Sequence, residues 1–228
     1  FVPILLYAIT LVWKWTRRKD DVIPQISEED SGIDTVIFDI GKVLVHYNWQ
    51  KPLQDLKYDE KTASAVASAI FLSQQWQEAD RGTGTEEEIL QSFISNNPAY
   101  EKEIRETFEN MGKSIKECSY TRSWLKYLKR RGYKLYILSN FSEPLYKRAA
   151  NEMKFLELID GGYMSWQVHC LKPEPEFFQK LIHDFNIDPT RAVFVDDLLE
   201  NVAEARTQGL HAVHFTGRKN ALQALAEF

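Results

Sequence analysis

Three short runs rich in β-branched and aromatic residues, TVIFDIG (35–41), YKLYILSN (133–140) and RAVFVDD (191–197), each break off at carboxylate, hydroxyl or amide side chains. A fourth, HAVHF (211–215), has the same apolar character. Continuous apolar runs of this length read as strands buried on both faces. Helical stretches separate them: SYTRSWLKYLKRRG ending at Gly132, a segment from about Glu143, one opened by Pro173 and Pro175, LLENVAEARTQG, and ALQALAEF at the end. Strands that alternate with helices predict an α/β fold, a doubly wound, Rossmann-like parallel sheet covered on both faces. Ligands of such sheets sit beyond the carboxyl ends of the strands, so the chemistry is expected where the apolar runs stop.

Between the first and second runs the character changes. From about Lys51 to Glu117 the stretch is dominated by Ala, Glu, Lys, Gln and Leu, as in KTASAVASAIFLSQQW and TEEEILQSFI. It reads as helical throughout, with no strand signal. Breaks fall at Asp80–Gly84 (DRGTG) and Asn96–Pro98 (NNP), and Thr85 followed by Glu88 has the form of a capping box. Trp76, Phe93, Tyr100 and Phe108 are expected to form this insert's own core. The expected organisation is therefore an apolar segment and linker over 1–33, an α/β core over 34–47 and 120–228, and a helical cap over 48–119.

The chain has 228 residues, enough to bury a core without disulfides or a structural metal. Its net charge of −5 does not favour nucleic-acid binding, so an anionic substrate needs a local positive pocket. Cys118 and Cys170 form no CxxC pair and read as free thiols of a reducing compartment. The five histidines show no metal-ligand spacing. Phe1–Trp13 is almost wholly apolar and is followed by tryptophan, arginine and lysine. A spanning helix needs about 20 apolar residues, and this stretch is shorter. Trp13, Trp15, Arg17, Arg18 and Lys19 suit a membrane interface, so residues 1–19 are read as a membrane contact with the rest of the chain cytoplasmic. A helix docked on the protein is the other reading, and a signal peptide fits less well because the charges follow the apolar run. The oligomeric state is left open.

The strand ends carry Asp39-Ile40-Gly41, Ser139-Asn140 and Asp196-Asp197, and Leu171-Lys172-Pro173 sets a lysine in a loop. Phosphoryl transfer uses this set. A carboxylate serves as a covalent nucleophile, further carboxylates hold a hard cation such as magnesium, and a lysine with hydroxyl and amide donors grips the transferred group.

In order and spacing, FDIGKVLV, ILSN, LKP and VFVDDLLEN resemble the four motifs of the haloacid dehalogenase superfamily, and the helical insert is similar to that family's cap. The resemblance runs from about Thr35 to Phe215. It implies that Asp39 is the nucleophile and that Ser139 and Asn140 bind phosphate. Lys172 would stabilise the nucleophile and the phosphoryl group. Mg2+ would be bound by Asp39, Asp196 and the carbonyl of Gly41, with Asp197 as a further ligand or neighbour. Arg81, in the break between insert helices, is a candidate substrate contact. The activity implied is hydrolysis of a small phosphorylated metabolite, a sugar phosphate or nucleotide, through an aspartyl-phosphate, with cap closure excluding water.

Phosphatases of this superfamily usually read DxD, the second Asp serving as acid and base, and here that position is Gly41. Three accounts are open: a leaving group that needs little protonation, such as an anomeric sugar phosphate; another acid, for which His46 is a candidate, or water; or a poor enzyme. A branch resembling glucose-1-phosphate phosphatases also reads FDxGxV, which favours the first. Two other classes are carried alongside: a dehalogenase, against which Asp196 and Asp197 both being present argues, and a non-catalytic scaffold, against which the complete set of nucleophile, lysine and acidic pair argues.

Overall fold

The computed structural model describes residues 32–228; the apolar segment and most of the linker lie outside the described residues. Five strands form one parallel sheet in the order β5-β4-β1-β6-β7. They are β1 (Thr35–Phe38), β4 (Lys134–Ser139), β5 (Gly161–Met164), β6 (Ala192–Asp196) and β7 (His211–His214). Every pairing is parallel, with Val36 opposite both Leu135 and Val193. Thus β1 is central, and the chain winds first to one side of it and then to the other.

Alternation along the strands feeds two cores. Val36, Phe38, Leu135, Ile137, Val193 and Val195 face one layer, while Ile37, Tyr136, Leu138 and Phe194 face the other. The first layer is covered by α6 (Thr121–Arg130) and α10 (Arg218–Leu225), the second by α8 (Pro175–Asp184) and α9 (Leu199–Thr207). With both faces covered, no polar alternation is needed, which is why the strands read as unbroken apolar runs. Trp124 of α6 is fully buried, edge-on to Phe38 at 4.9 Å and stacked on Phe215 at 5.9 Å.

The insert holds α1 (Gln50–Asp55), α2 (Glu60–Ala69), α3 (Gln74–Arg81), α4 (Glu86–Asn96) and α5 (Glu101–Asn110). The capping box at α4 is present, with Thr85 accepting from the Glu88 amide and Glu88 accepting from the Thr85 amide. A ladder of aromatic rings, Trp49–Phe71–Trp76–Phe93–Phe108, runs through it with centroids 5.1–6.3 Å apart. One expectation is corrected. The stretch read as free of strands contains β3 (Ile115–Glu117), antiparallel to β2 (Val45–Tyr47). Three residues are too few to show a period against flanking helix formers. A second correction concerns α8, which begins at Pro175, leaving Pro173 in the loop after a cis Lys172–Pro173 bond. Cys118 and Cys170 are both free. Among the described residues no helix is long and apolar enough to cross a membrane.

Candidate active site

Three elements end beside one another at the carboxyl edge of the sheet. Asp39 follows β1, and its amide donates to the Val195 carbonyl of β6, so the nucleophile candidate is fixed between the two strands. Asp196 ends β6 and Ser139 ends β4. All three are buried. Burying carboxylates is costly without a counter-charge, and Lys172 supplies it: its Nζ lies 2.7 Å from Asp39 Oδ1 and 2.6 Å from Asp196 Oδ2. Ser139 Oγ donates to the same Asp39 Oδ1 at 2.8 Å.

Burial pushes the Asp39 carboxyl above its ordinary range, with Lys172 opposing the rise and the nearby Asp196 charge adding to it. For Lys172, burial alone would favour loss of the proton, but the charges of Asp39 and Asp196 outweigh it and hold the ammonium above its usual value.

The loop carrying Lys172 is clamped from both sides. Asn140 accepts from the Lys172 amide at 2.8 Å and donates to the Lys172 carbonyl at 3.0 Å. Its side chain therefore aligns the lysine, and it also lines the cavity. Glu174 accepts from the Leu171 amide at 3.0 Å and forms a two-pronged pair with Arg81, at 2.6 and 3.0 Å. Arg81 also donates to the His169 carbonyl. The residue expected to touch substrate is thus tied to the lysine loop, and it does not line the cavity containing Asp39. Asp80, before it, accepts at its carbonyl from Ser165 Oγ at 2.6 Å.

Asp39, Asp196 and Asp197 each offer a carboxylate oxygen, and these atoms lie within 4.8 Å of one another. Lys42 Nζ stands 3.3 Å from Asp197. Two ammonium groups face three carboxylates, so one negative charge is left over. Asn201 donates to Asp196 at 3.0 Å, while its Oδ1 is buried with no partner. Hard oxygen donors, excess negative charge and an orphaned buried acceptor fit a hydrated divalent cation. Asp39, Asp197 and Asn201 line a cavity of about 150 Å³ with Gly41, Lys42, Tyr47, Asn140, Lys172 and Leu198.

All of the expected residues except Arg81 meet here. Asn201, Lys42 and Tyr47 were not anticipated. The signal for Asn201 was its place five residues after Asp196, one turn into α9, where a helix side chain faces back to the strand end. Lys42 has φ 57°, a left-handed conformation uncommon for a non-glycine residue and a pointer to a special turn. His46 lines an adjoining cleft, outside this cavity.

The chain is 26% identical over 180 residues to a sesquiterpene phosphatase of Aspergillus oryzae, covering 79% of this chain and 88% of that one. It is 28% identical over 186 residues to a drimenol cyclase of Aspergillus calidoustus, covering 80% of this chain but only 34% of the cyclase. In fold it resembles a HAD family enzyme of Bacteroides thetaiotaomicron, solved in complex with magnesium and inorganic phosphate, at TM-score 0.65 and 21% identity over 79% of this chain and 93% of that one. Residues 33–209, which hold every strand end described above except that of β7, match the family of haloacid dehalogenase-like hydrolases, and the chain belongs to that family.

Proposed function

We propose that the protein is a magnesium-dependent phosphatase that hydrolyses a small phosphomonoester through an aspartyl-phosphate on Asp39. The observation that carries this reading is the buried triangle of Asp39, Lys172 and Asp196, with Asp197 close enough to share a cation. Magnesium, held by Asp39, Asp196, Asp197 and the Gly41 carbonyl, would offset the repulsion between an anionic nucleophile and an anionic phosphoryl group. The phosphatase named among the relatives and the magnesium and phosphate of the structural neighbour support the same reading.

The steps for this chain's residues are these. A carboxylate oxygen of Asp39 attacks phosphorus in line, a P–O bond to Asp39 forms, and the P–O bond to the leaving group breaks with its electrons going to the leaving oxygen. Lys172, already bound to Asp39 Oδ1, stabilises the oxygens as charge shifts. Ser139 holds the carboxylate's rotation. Water then cleaves the aspartyl-phosphate, releasing phosphate and restoring Asp39.

Gly41 bears on the leaving group. Its φ is not in the left-handed region, and a Cβ there would meet only Asp39 Oδ2, at 3.7 Å. Neither the backbone nor the space therefore demands glycine. The absence of a carboxyl acid accordingly favours a leaving oxygen that departs without one, as an anomeric oxygen does. The test is phosphate release with magnesium and with chelator. The wild type should turn over only with magnesium, and Asp39→Asn should lose at least about a thousandfold. Full activity in Asp39→Asn would remove the nucleophile, and halide release without metal would point to a dehalogenase.

A further inference from the structure

The cavity at Asp39 is small. Small-molecule sites commonly run about 300–1,000 Å³, and about 150 Å³ holds a phosphoryl group and its cation but little more. The rest of a substrate must lie elsewhere. At Lys42 and Tyr47 the cavity adjoins a larger cleft of about 710 Å³, because both residues line both spaces. The cleft's other lining residues are His46, Asn48, Gln50 and Gln54.

The composition of this cleft is one-sided. All six lining side chains carry a hydrogen-bonding group, none is aliphatic, and Tyr47 supplies the one phenyl ring. The side chains of His46, Gln50 and Gln54 have no protein partner among the described residues, and all three are exposed. They come from β2 and the first turns of α1, held together by the amide of Asn48 on the Ser114 carbonyl and the Asn48 side chain on the Gln50 amide. Such a surface offers both donors and acceptors in water-filled space. An aliphatic chain laid there would leave these amides desolvated and unpaired, which is unfavourable. A nucleobase would find a single ring and no opposed platform.

We propose that this cleft is the leaving-group subsite and that it takes a polyhydroxylated group, a sugar esterified at its anomeric oxygen. Lys42 stands at the junction as a fixed positive charge beside the bridging oxygen, and Asn48, Gln50 and Gln54 bind hydroxyls. The inference rests on the phosphatase reading above, and it separates this chain from a relative named for sesquiterpenes. It also gives a place to Lys42, whose left-handed backbone the fold retains next to Gly41.

The experiment compares kcat/KM of the wild type and a Gln50→Leu/Gln54→Leu double variant, with magnesium, on a hexose 1-phosphate, a pentose 1-phosphate, a nucleoside monophosphate, farnesyl phosphate and an aryl phosphate. The wild type should favour the two sugar 1-phosphates over farnesyl phosphate and the nucleotide. In the double variant the ratio of sugar 1-phosphate to aryl phosphate should fall about tenfold, through KM, as expected for two lost neutral hydrogen bonds. An unchanged ratio, or a wild type that prefers farnesyl phosphate or the nucleotide, overturns the subsite. A wild type that releases phosphate from none of the five overturns the phosphatase reading itself, and the subsite with it.

Discussion

Asp80 lies in the last turn of α3 with its carboxyl buried, and no hydrogen bond or ion pair reaches that carboxyl among the described residues. Burial pushes it up to about 8, so it is protonated at neutral pH. The titratable group felt nearby is the half-buried Tyr47, itself pushed above its ordinary value chiefly by burial and further by Asp80. A carboxyl whose folded value is raised contributes stability that is complete below its unfolded value near 4 and is lost as pH rises through about 8. Melting temperature should therefore fall between pH 5 and pH 9, and Asp80→Asn should flatten that fall by several degrees, at roughly 2–4 °C per kcal/mol for a chain of this size. Identical slopes in the two proteins would mean that Asp80 ionises freely. Gly41 makes the opposite kind of prediction. A Cβ at Gly41 meets no backbone, so Gly41→Asp should raise turnover of an unactivated alkyl phosphate by at least about tenfold, while an aryl phosphate gains little; equal gains would show that leaving-group protonation is not what the glycine omits. Asp39, Ser139, Lys172 and Asp196 were readable because each ends an apolar run or precedes a proline. The state of Asp80 was not readable, since burial is set by partners distant in sequence.

The contact between α3 and the loop before α8 joins the insert to the core chemistry. Arg81 grips Glu174, Glu174 holds the Leu171 amide, and Lys172 is the next residue. Close packing reinforces it: a Cβ on Gly82 would come within 2.6 Å of Trp166. A second tie lies at α7 (Glu143–Ala149), where Arg148 bridges Glu86 and Glu109, both at 2.7 Å. We expect Arg81→Ala to lower kcat about tenfold with KM little changed, because it loosens the lysine and leaves the substrate cleft intact. A rise in KM at constant kcat would return Arg81 to the role of substrate contact. From sequence, DRGTG showed a break between helices but not its destination, because Glu174 is 93 residues away. The same distance effect hid β3. Its pairing with β2 is specified by partners 68 to 72 residues apart and not by any local period.

At the scale of the molecule, alternation of apolar runs and helices was enough to read a parallel sheet, since every core strand is buried on both faces. The order β5-β4-β1-β6-β7 was not readable, because apolar runs of equal character carry no label for their neighbours. The carboxylate cluster gives a prediction for the whole fold. Magnesium at ten times its Kd should stabilise the protein by about 1.4 kcal/mol, a rise of roughly 3–6 °C in Tm. Asp196→Asn should abolish that rise, and a rise that persisted would place the cation elsewhere. The β2–β3 ribbon has a consequence of another kind. Tyr47 and Ile115 sit directly opposite each other, so the chain leaves the core and re-enters it at nearly one point. To the core, everything between them is one closed loop, whose entropic cost grows only as the logarithm of its length. The insert is therefore exchangeable in its outer part. A foreign module whose two ends emerge side by side could be grafted onto this ribbon, replacing α1 and the amides it presents, and substrate choice could change by transplantation while the chemistry stays in place, provided that α3 and its Arg81–Glu174 tie to the lysine loop are kept.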